Sequence, residues 1–173
     1  MAKKATKFLD FVIDKLTNSI ENAHTGEIFN TEITRLTEKD SRLIITKEWQ
    51  FNWRKEIKDK AKEVYKLSTA NNSTIIQGLI SIENKDDHLF LHLIESSYFN
   101  KGKDKIYLGV PGNLVAYACK VSKENGHEGF VAFDSKTQLI GHYKKILGAT
   151  QLRGQRMYLD NIAADKLIST YFK

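Results

Sequence analysis

The stretch YLGVPGNLVAYACKVSKENGHEG, residues 107–129, decides the fold that we predict for this chain. A short strand over residues 105–108 leads into a turn that contains two glycines and the only proline of the chain, and a helix follows from near Asn113 to near Gly126. Glycine lets the backbone approach an anion closely, and the helix N-terminus adds partial positive charge, so this order of elements suits a phosphate group. A tight connection without a ligand has the same pattern, and the surrounding sequence has to distinguish the two.

Length and composition predict one globular domain. The chain has 173 residues, of which 41% are apolar and 28% are charged, and this is enough to bury a core. The chain has a single cysteine, Cys119, so no internal disulfide can form, and the cytoplasm is the default compartment. We expect Cys119 to be a buried side chain rather than a nucleophile. Charges at Asp10, Asp14 and Lys15 interrupt the apolar run near the N-terminus, and no run approaches the ~20 apolar residues of a membrane span. We therefore expect neither a secretory signal nor a membrane anchor.

Positive charge is concentrated in the C-terminal part. Residues 101–173 hold 12 Lys and Arg against 6 Asp and Glu, a surplus equal to the net charge of +6. Five of these lysines flank the glycine turn: Lys101, Lys103, Lys105, Lys120 and Lys123. Such a cluster favours a polyanionic cofactor or a nucleic-acid backbone, although each lysine alone is typical of a solvated surface.

The N-terminal half gives a coarse order of elements. Residues 8–16 are apolar at mixed spacing, and both a helix and a strand remain open. Residues 27–36 alternate like a strand, and residues 38–45 suit a short helix or a turn. The spacing over residues 53–64 predicts an amphipathic helix.

From residue 73 onward the pattern is typical of a sheet. The apolar runs 73–82 and 88–94, joined by a short polar loop, predict two adjacent antiparallel strands in the centre of that sheet. Further elements alternate in the remaining sequence: a strand over 129–133, a helix over 137–147 stopped by Gly148, a strand over 157–159, and a helix over 162–172 capped by Asp160 or Asn161. The chain is therefore predicted to form an α/β (α+β) fold with a mixed, mostly antiparallel central sheet flanked by helices.

Residues 75–160 resemble the cofactor-binding half of the GNAT superfamily of N-acetyltransferases. Three features carry the resemblance: the strand LFLHLIE over residues 89–95, the glycine turn from Gly109 to Leu114, and Tyr143 shortly before Gly148. In that family a central strand splays from its neighbour, the turn and its helix bind the pyrophosphate of acetyl-coenzyme A, and a later helix carries the tyrosine.

The resemblance implies one domain over residues 1–173 with two regions of different function. Residues 67–173 would be the cofactor-binding core for acetyl-coenzyme A, and residues 1–66 would be divergent elements that shape the acceptor site. The cofactor-binding residues would lie at the end of the splayed strand and in the turn: Ile94, Ser96, Gly109, Val110, Gly112, Asn113 and Leu114. Pro111, within the turn, has no N–H to offer a phosphate.

Acyl transfer to an amine sets the catalytic requirements. The attacking amine has to be neutral, and the leaving thiolate has to be protonated or otherwise accommodated. Direct transfer in a ternary complex needs no protein nucleophile. Tyr143 is our candidate for the general acid because a phenol is protonated at neutral pH; packing against the sheet is the alternative. Glu95 is our candidate for the base, the alternative being a strand-end carboxylate that pairs with a lysine or faces solvent.

The histidines are open to two interpretations. His92 and His142 could line the acceptor site, but the sequence favours a structural role for each. The five histidines and the lone cysteine show no metal-ligand spacing, so we predict no metal.

Two functions follow from these observations. The first is an acetyl-coenzyme A-dependent N-acetyltransferase acting on a primary amine, with small amines, antibiotics, protein N-termini and lysines all open as acceptors. The alternative is a catalytically degenerate GNAT-fold binding protein whose basic C-terminal part docks an anionic partner such as nucleic acid. The apolar face of the last helix also leaves a dimer open.

Overall fold

The computed structural model of the protein describes residues 8–17 and 19–172, in which ten strands form two sheets. The strands are β1 (Ile20–Asn22), β2 (Ile28–Phe29), β3 (Thr31–Leu36), β4 (Glu63–Thr69), β5 (Gly78–Asn84), β6 (Leu89–Ser96), β7 (Tyr107–Leu108), β8 (Val131–Asp134), β9 (Thr150–Arg153) and β10 (Arg156–Leu159). The larger sheet has the order β3-β4-β5-β6-β8-β10-β9, and the smaller has the order β2-β1-β7. Residues 1–7 of the predicted N-terminal elements lie outside the described residues.

The larger sheet opens between β6 and β8. These two strands run parallel and pair at Leu89 with Val131 and at Phe90 with Ala132, whereas the other neighbours in this sheet are antiparallel. Beyond this point β6 continues to Ser96 along β5, while β8 ends at Asp134. The strands therefore diverge and leave a cleft. The predicted mixed, mostly antiparallel sheet with a splayed central strand is confirmed.

Four α-helices occur in the described residues: α1 (Trp53–Lys58), α2 (Val110–Glu124), α3 (Ile140–Leu147) and α4 (Asn161–Tyr171). Helix α2 packs on β5, β6 and α4, and buries Leu114 and Cys119 in the main core. Helix α4 is capped by Asp160, whose carboxylate accepts the N–H of Ala163 at 2.9 Å. In this part of the chain no helix has the length and apolar character needed to cross a bilayer.

A second, smaller core lies beneath α1. It consists of buried apolar side chains from β3, β4, β5, α1 and the segment that joins β3 to α1: Leu36, Ile44, Phe51, Trp53, Val64 and Leu79. The joining segment includes two 3₁₀ turns, Glu38–Leu43 and Thr46–Glu48. This core fixes the loop before α1 against the outer end of β6.

Residues 8–17, called the N-terminal segment below, have no regular secondary structure beyond one isolated bridge. Leu9 forms a parallel bridge with Ser135: its N–H donates to the carbonyl of Asp134 at 2.7 Å, and its carbonyl accepts from the N–H of Lys136 at 3.0 Å. The segment then runs from the end of β8 toward the N-terminus of α2, with Leu9 and Ile13 buried (2% and 6% exposed). Neither of the two open possibilities, a helix or a strand, therefore forms over these residues, and the segment crosses the cleft between β6 and β8.

The structure corrects two of the predicted helix boundaries. The helix predicted over residues 53–64 ends at Lys58, because Val64 pairs with Ser81 in the sheet and is buried in the smaller core. Helix α2 begins at Val110 rather than near Asn113, since Gly109 adopts a left-handed conformation as its N-cap and proline is tolerated in a first turn.

Three further differences concern strands and a 3₁₀ turn. The strand predicted over residues 73–82 is β5, Gly78–Asn84, so its first residues form a loop. The helix predicted over 137–147 begins as a 3₁₀ turn, Thr137–Leu139, before α3. Strands β1 and β9 were not predicted; β1 has only three residues, and β9 is an edge strand whose residues are exposed and mostly polar.

Candidate functional site

The glycine turn lies at the mouth of the cleft and already holds a carboxylate. Gly109 is the N-cap of α2, with φ 91°, a left-handed conformation that favours glycine. That N–H donates to Oδ1 of Asp14 at 3.1 Å, and the ammonium group of Lys105 contacts Oδ2 of the same carboxylate at 3.0 Å. One backbone donor and one lysine of the predicted phosphate site therefore converge on an anionic group of the N-terminal segment.

Both turn glycines are also required by close packing. A Cβ at Gly109 would lie 2.6 Å from Cγ2 of Thr17, and a Cβ at Gly112 would overlap the hydroxyl of Tyr171 and lie 3.3 Å from Cδ2 of Leu16. The N-terminal segment and α4 therefore cover the turn directly. In this conformation the glycines accommodate protein atoms where the sequence analysis expects a phosphate.

The remaining predicted cofactor residues of the turn face inward. Val110 and Leu114 are buried in the main core. Asn113 is fully buried; its N–H donates to the carbonyl of Gly109 at 3.0 Å, its side-chain amide lies 3.4 Å from Oγ1 of Thr31, and its Oδ1 has no partner. The side chains of these three residues therefore support the turn, and only backbone groups at its start face the cleft mouth.

Tyr143 reaches the cleft from α3. Its side chain is fully buried between the rings of Phe11 and Phe133, and its hydroxyl donates to the carbonyl of Phe11 at 2.6 Å. Burial, with a smaller contribution from the carboxylate of Asp10, raises the pKa of Tyr143. The phenol is thus protonated at neutral pH and oriented as a hydrogen-bond donor.

Glu95 lies at the outer end of β6 and is 3% exposed. Its two carboxylate oxygens accept from the N–H groups of Gln50 (2.7 Å) and Phe51 (3.1 Å), from Nε1 of Trp53 (2.8 Å) and from Nζ of Lys101 (3.1 Å). These four donors fix the loop before α1 to the sheet. A role for Glu95 as a base would require it to give up at least one of them.

A cavity of about 270 Å³ lies beside Glu95. It is lined by the end of β6 with Ile94 and Ser96, by the loop that contains Phe51, and by Phe11 and Asp14 of the N-terminal segment. Both predicted strand residues thus border open space. None of the described residues that line this cavity belongs to α3.

The histidines take different places. Nε2 of His142 accepts the N–H of Ile13 at 2.9 Å, so His142 helps to hold the N-terminal segment. His92 contacts the carboxylate of Glu83 at 2.8 Å on the neighbouring strand β5, and burial lowers its pKa. His142 therefore lies beside the segment in the cleft, whereas His92 contacts a side chain of the neighbouring strand β5.

Other reactive groups are accounted for within the described residues. Cys119 is buried in α2, and burial raises the pKa of its thiol to about 12. In residues 8–17 and 19–172 no three His, Cys, Asp or Glu side chains come together as a metal site.

The lysine cluster is largely engaged in intramolecular contacts. Lys101 contacts Glu95, Lys105 contacts Asp14, Lys123 contacts Asp165, and Lys120 lies over the ring of Phe172. Only part of the positive charge seen in the sequence is therefore free to attract a polyanion.

The contribution of the N-terminal segment was not found by sequence reasoning. Asp14 and Phe11 contact groups 95 and 132 residues away in the chain. A sequence signal did exist, since Asp10 and Asp14 interrupt an otherwise apolar run with carboxylates. It was interpreted only as evidence against a secretory signal.

Comparison with solved structures identifies the fold. The crystal structure of AtaTR bound with AcCoA matches with a TM-score of 0.57 at 14% identity, covering 80% of this chain and 98% of that one. Mutant forms of the spermidine/spermine N-acetyltransferase SpeG from Vibrio cholerae match with a TM-score of 0.53 at 15% identity, covering 79% and 98%. SpeG from the same organism in complex with CoA and spermine matches with a TM-score of 0.50 at 14% identity, covering 78% and 98%.

Sequence comparison adds no relative. No protein-family model matches this chain, and no curated protein matches it. The likeness is therefore one of fold, and it confirms the GNAT fold that residues 75–160 imply.

Proposed function

We propose that this chain, which has the fold of the GNAT N-acetyltransferases, transfers an acetyl group from acetyl-coenzyme A to a primary amine. One observation carries the proposal: the glycine turn at the N-terminus of α2 and the phenol of Tyr143 lie along the same cleft between β6 and β8. The solved structures with this fold include complexes with AcCoA and with CoA and spermine. The fold and the arrangement within it support the same chemistry.

The groups at the turn fit an anionic cofactor. Gly109 supplies an outward N–H, Lys105 supplies a positive charge, and both already bind a carboxylate, which is direct evidence that this position accommodates an anion. We propose that these groups hold the pyrophosphate, while Ile94 and Ser96 border the acyl end. Acetyl-coenzyme A would supply the activated acetyl group as a thioester.

Tyr143 is proposed as the general acid. Its hydroxyl is protonated, buried and aimed into the cleft, so it can donate a proton to a leaving thiolate there. Glu95 can act as the proposed base only if its hydrogen bond to Lys101 opens. Lys101 is the partner that can leave most easily, because its side chain is exposed to solvent. The structural role of Glu95 is the simpler account of its four contacts.

The acceptor is proposed to enter through the cavity beside Glu95. The loop before α1 forms one wall of that cavity, which supports a role for the N-terminal elements in selecting the acceptor. A primary amine is the acceptor class, and polyamines are included because SpeG binds spermine with this fold.

The test is an acetyl-transfer screen with labelled acetyl-coenzyme A. Polyamines, small amines, aminoglycosides, and peptides with free N-termini or lysines are supplied as acceptors, and the release of the coenzyme thiol is measured in parallel. We expect transfer to at least one class, with thiol release in equal amount. Thiol release that does not depend on any acceptor, or no release at all, would contradict the proposal.

A second function is favoured by one observation, namely that the N-terminal segment fills the cleft. If the segment stays there permanently, the protein is a binding module with a degenerate site. Such a module would show salt-dependent retention of RNA or DNA and no response to acetyl-coenzyme A. The pairing of Lys101, Lys105 and Lys123 with carboxylates argues against this alternative, because it leaves less free charge for a polyanion.

A further inference from the structure

We infer that the N-terminal segment is an intramolecular competitor of the cofactor, which must leave the cleft before a coenzyme A thioester can bind. The inference rests on the proposed function and adds a regulatory step to the same site. It is carried by contacts at both ends of the cleft and by the position of the segment between them.

At the phosphate end, Asp14 stands where an anionic ligand would stand. Its carboxylate binds the N–H of Gly109 and the ammonium group of Lys105, at 3.1 and 3.0 Å. Asp14 is only 13% exposed at its side chain, so the interaction is well shielded from solvent. A pyrophosphate and this carboxylate cannot occupy the same donors at the same time.

At the catalytic end, the segment takes the hydrogen bond that the hydroxyl of Tyr143 can donate. The backbone carbonyl oxygen of Phe11 accepts a hydrogen bond from this hydroxyl at 2.6 Å, and the ring of Phe11 packs on the tyrosine with centroids 5.2 Å apart. A general acid whose proton is held by a carbonyl cannot donate it to a thiolate. Withdrawal of the segment would therefore free the acid and the anion site together.

Further contacts of the segment lie along the open side of the sheet. Leu9 bridges Ser135 just beyond the end of β8, and the N–H of Ile13 is bound by His142 of α3. These contacts place the peptide backbone along the length of the cleft, in the space that an extended ligand would need.

The attachment is of a kind that can be released. Leu9 and Ile13 are buried in the main core. The polar attachments of the segment are one bridge, ion pairs and single hydrogen bonds, in contrast to the continuous ladders within the larger sheet. Its far end is fixed by Tyr171, whose hydroxyl donates to the carbonyl of Lys15 at 3.1 Å and lies 3.4 Å from the N–H of Thr17. Val12, in the middle, is 57% exposed. Local opening of such a segment costs less than unfolding of the domain.

A competing segment lowers the apparent affinity of the cofactor by the fraction of molecules in which the cleft is open. Variants that weaken the closed state should therefore bind more tightly without any new contact to the ligand. This is the opposite of the usual effect of removing native interactions.

The experiment compares four full-length proteins by calorimetric titration with coenzyme A: wild type, Asp14→Ala, Tyr171→Phe and Asp165→Ala. Asp14→Ala removes the carboxylate from the turn. Tyr171→Phe removes only the hydroxyl that holds Lys15 and Thr17, and serves if Asp14→Ala folds poorly. Asp165→Ala is the matched control, since it breaks a carboxylate–lysine pair with Lys123 on the exposed surface. Hydrogen exchange of the peptide over residues 8–17 is measured with and without coenzyme A.

We expect about tenfold tighter binding for Asp14→Ala and a smaller gain for Tyr171→Phe, because a charge-assisted hydrogen bond and a neutral one are lost from the closed state. The control should bind like wild type. Coenzyme A should accelerate exchange at Leu9, Ile13 and Thr17, whose N–H groups are bonded in the closed state.

The outcomes separate this inference from the proposed function. If wild type binds coenzyme A while residues 8–17 keep their protection, or if Asp165→Ala gains as much affinity as Asp14→Ala, the inference is overturned and the proposed function stands. If none of the four proteins binds coenzyme A, the proposed function is overturned, and the inference with it.

Discussion

Glu95 shows how one residue can satisfy a catalytic pattern and a structural one. We predict that Glu95→Gln lowers the free energy of unfolding by about 3 kcal/mol, because the amide replaces one acceptor oxygen with a donor that faces N–H groups. The loop before α1 should loosen with it. Chemical denaturation monitored by the fluorescence of Trp53 and Trp49 measures the loss.

The exposed Glu32 of β3 provides the control for this prediction. Glu32→Gln makes the same chemical change without burial, and we expect it to leave the stability within about 0.5 kcal/mol of wild type. A stable Glu95→Gln protein that has lost acetyl transfer would contradict the structural account and favour the role as a base.

Tyr143 is the residue on which the proposed chemistry depends most. We predict that Tyr143→Phe lowers turnover by about 10² to 10⁴, since the ring remains but the proton donor is lost. Binding of the cofactor should not weaken, because the hydroxyl also holds Phe11 in the closed state. The assay is steady-state transfer to the acceptor found in the screen, with Tyr158→Phe as a tyrosine control on β10. Unchanged turnover would show that Tyr143 only packs against the sheet.

At the scale of single residues, the sequence identified candidate site residues but not the groups that they contact. Gly109 and Tyr143 could be identified because local motifs, a strand-turn-helix and a helix ending in glycine, mark their positions. The partners Asp14 and Phe11 could not be identified, because no periodicity links positions so far apart in the chain. Contacts of this kind are set by how the elements pack together.

Among the elements, α2 and α4 depend on the absence of a side chain at Gly112. A methyl group there would overlap the hydroxyl of Tyr171. We predict that Gly112→Ala destabilises the protein by about 1 to 3 kcal/mol through overpacking. In the Tyr171→Phe background the cost should be smaller, because the overlapping atom is gone. A double-mutant cycle of thermal unfolding measures the difference.

Additive effects in that cycle would contradict the packing account. Gly141, at which a Cβ would meet nothing within 4 Å, provides the matched position on α3. Gly141→Ala should be neutral or slightly stabilising, because alanine is the better helix former.

The single cysteine tests whether α2 carries any covalent chemistry. Cys119 is buried, and its thiol pKa of about 12 leaves almost no thiolate at pH 8. We predict that a thiol reagent at pH 8 modifies it only after denaturation, and that Cys119→Ala retains full acetyl transfer. Rapid modification of the native protein, or loss of transfer in the variant, would indicate a covalent intermediate.

The elements were predicted where pattern and burial agree. The β5–β6 hairpin and the helix α2 carry continuous apolar runs and were located within a few residues. The helix predicted over residues 53–64 was too long, because Val64 fits a helical face as well as a strand. In the structure Val64 pairs with β5 in the sheet. All residues of strand β9 are exposed, so its sequence lacks the alternation of apolar and polar residues that would predict a strand.

The whole molecule combines the GNAT fold with an N-terminal segment laid across its cleft. The sheet order and the splay between β6 and β8 create the site, and the smaller core fixes the loop that borders its entrance. Under the proposed function, the cofactor and the N-terminal segment require the same groups. Cofactor binding at this cleft is the central claim, and every proposed role depends on it.

Thermal unfolding of the full-length protein with increasing acetyl-coenzyme A tests that claim most directly, with ATP as a control that is anionic but lacks the thioester arm. At about 100 times its dissociation constant, acetyl-coenzyme A should stabilise the fold by about 2.7 kcal/mol, which corresponds to a midpoint shift of about 5 to 10 °C. The shift should depend on concentration and should be larger for Asp14→Ala at a given concentration. An unmoved midpoint for both proteins, or an equal shift with ATP, would contradict the account.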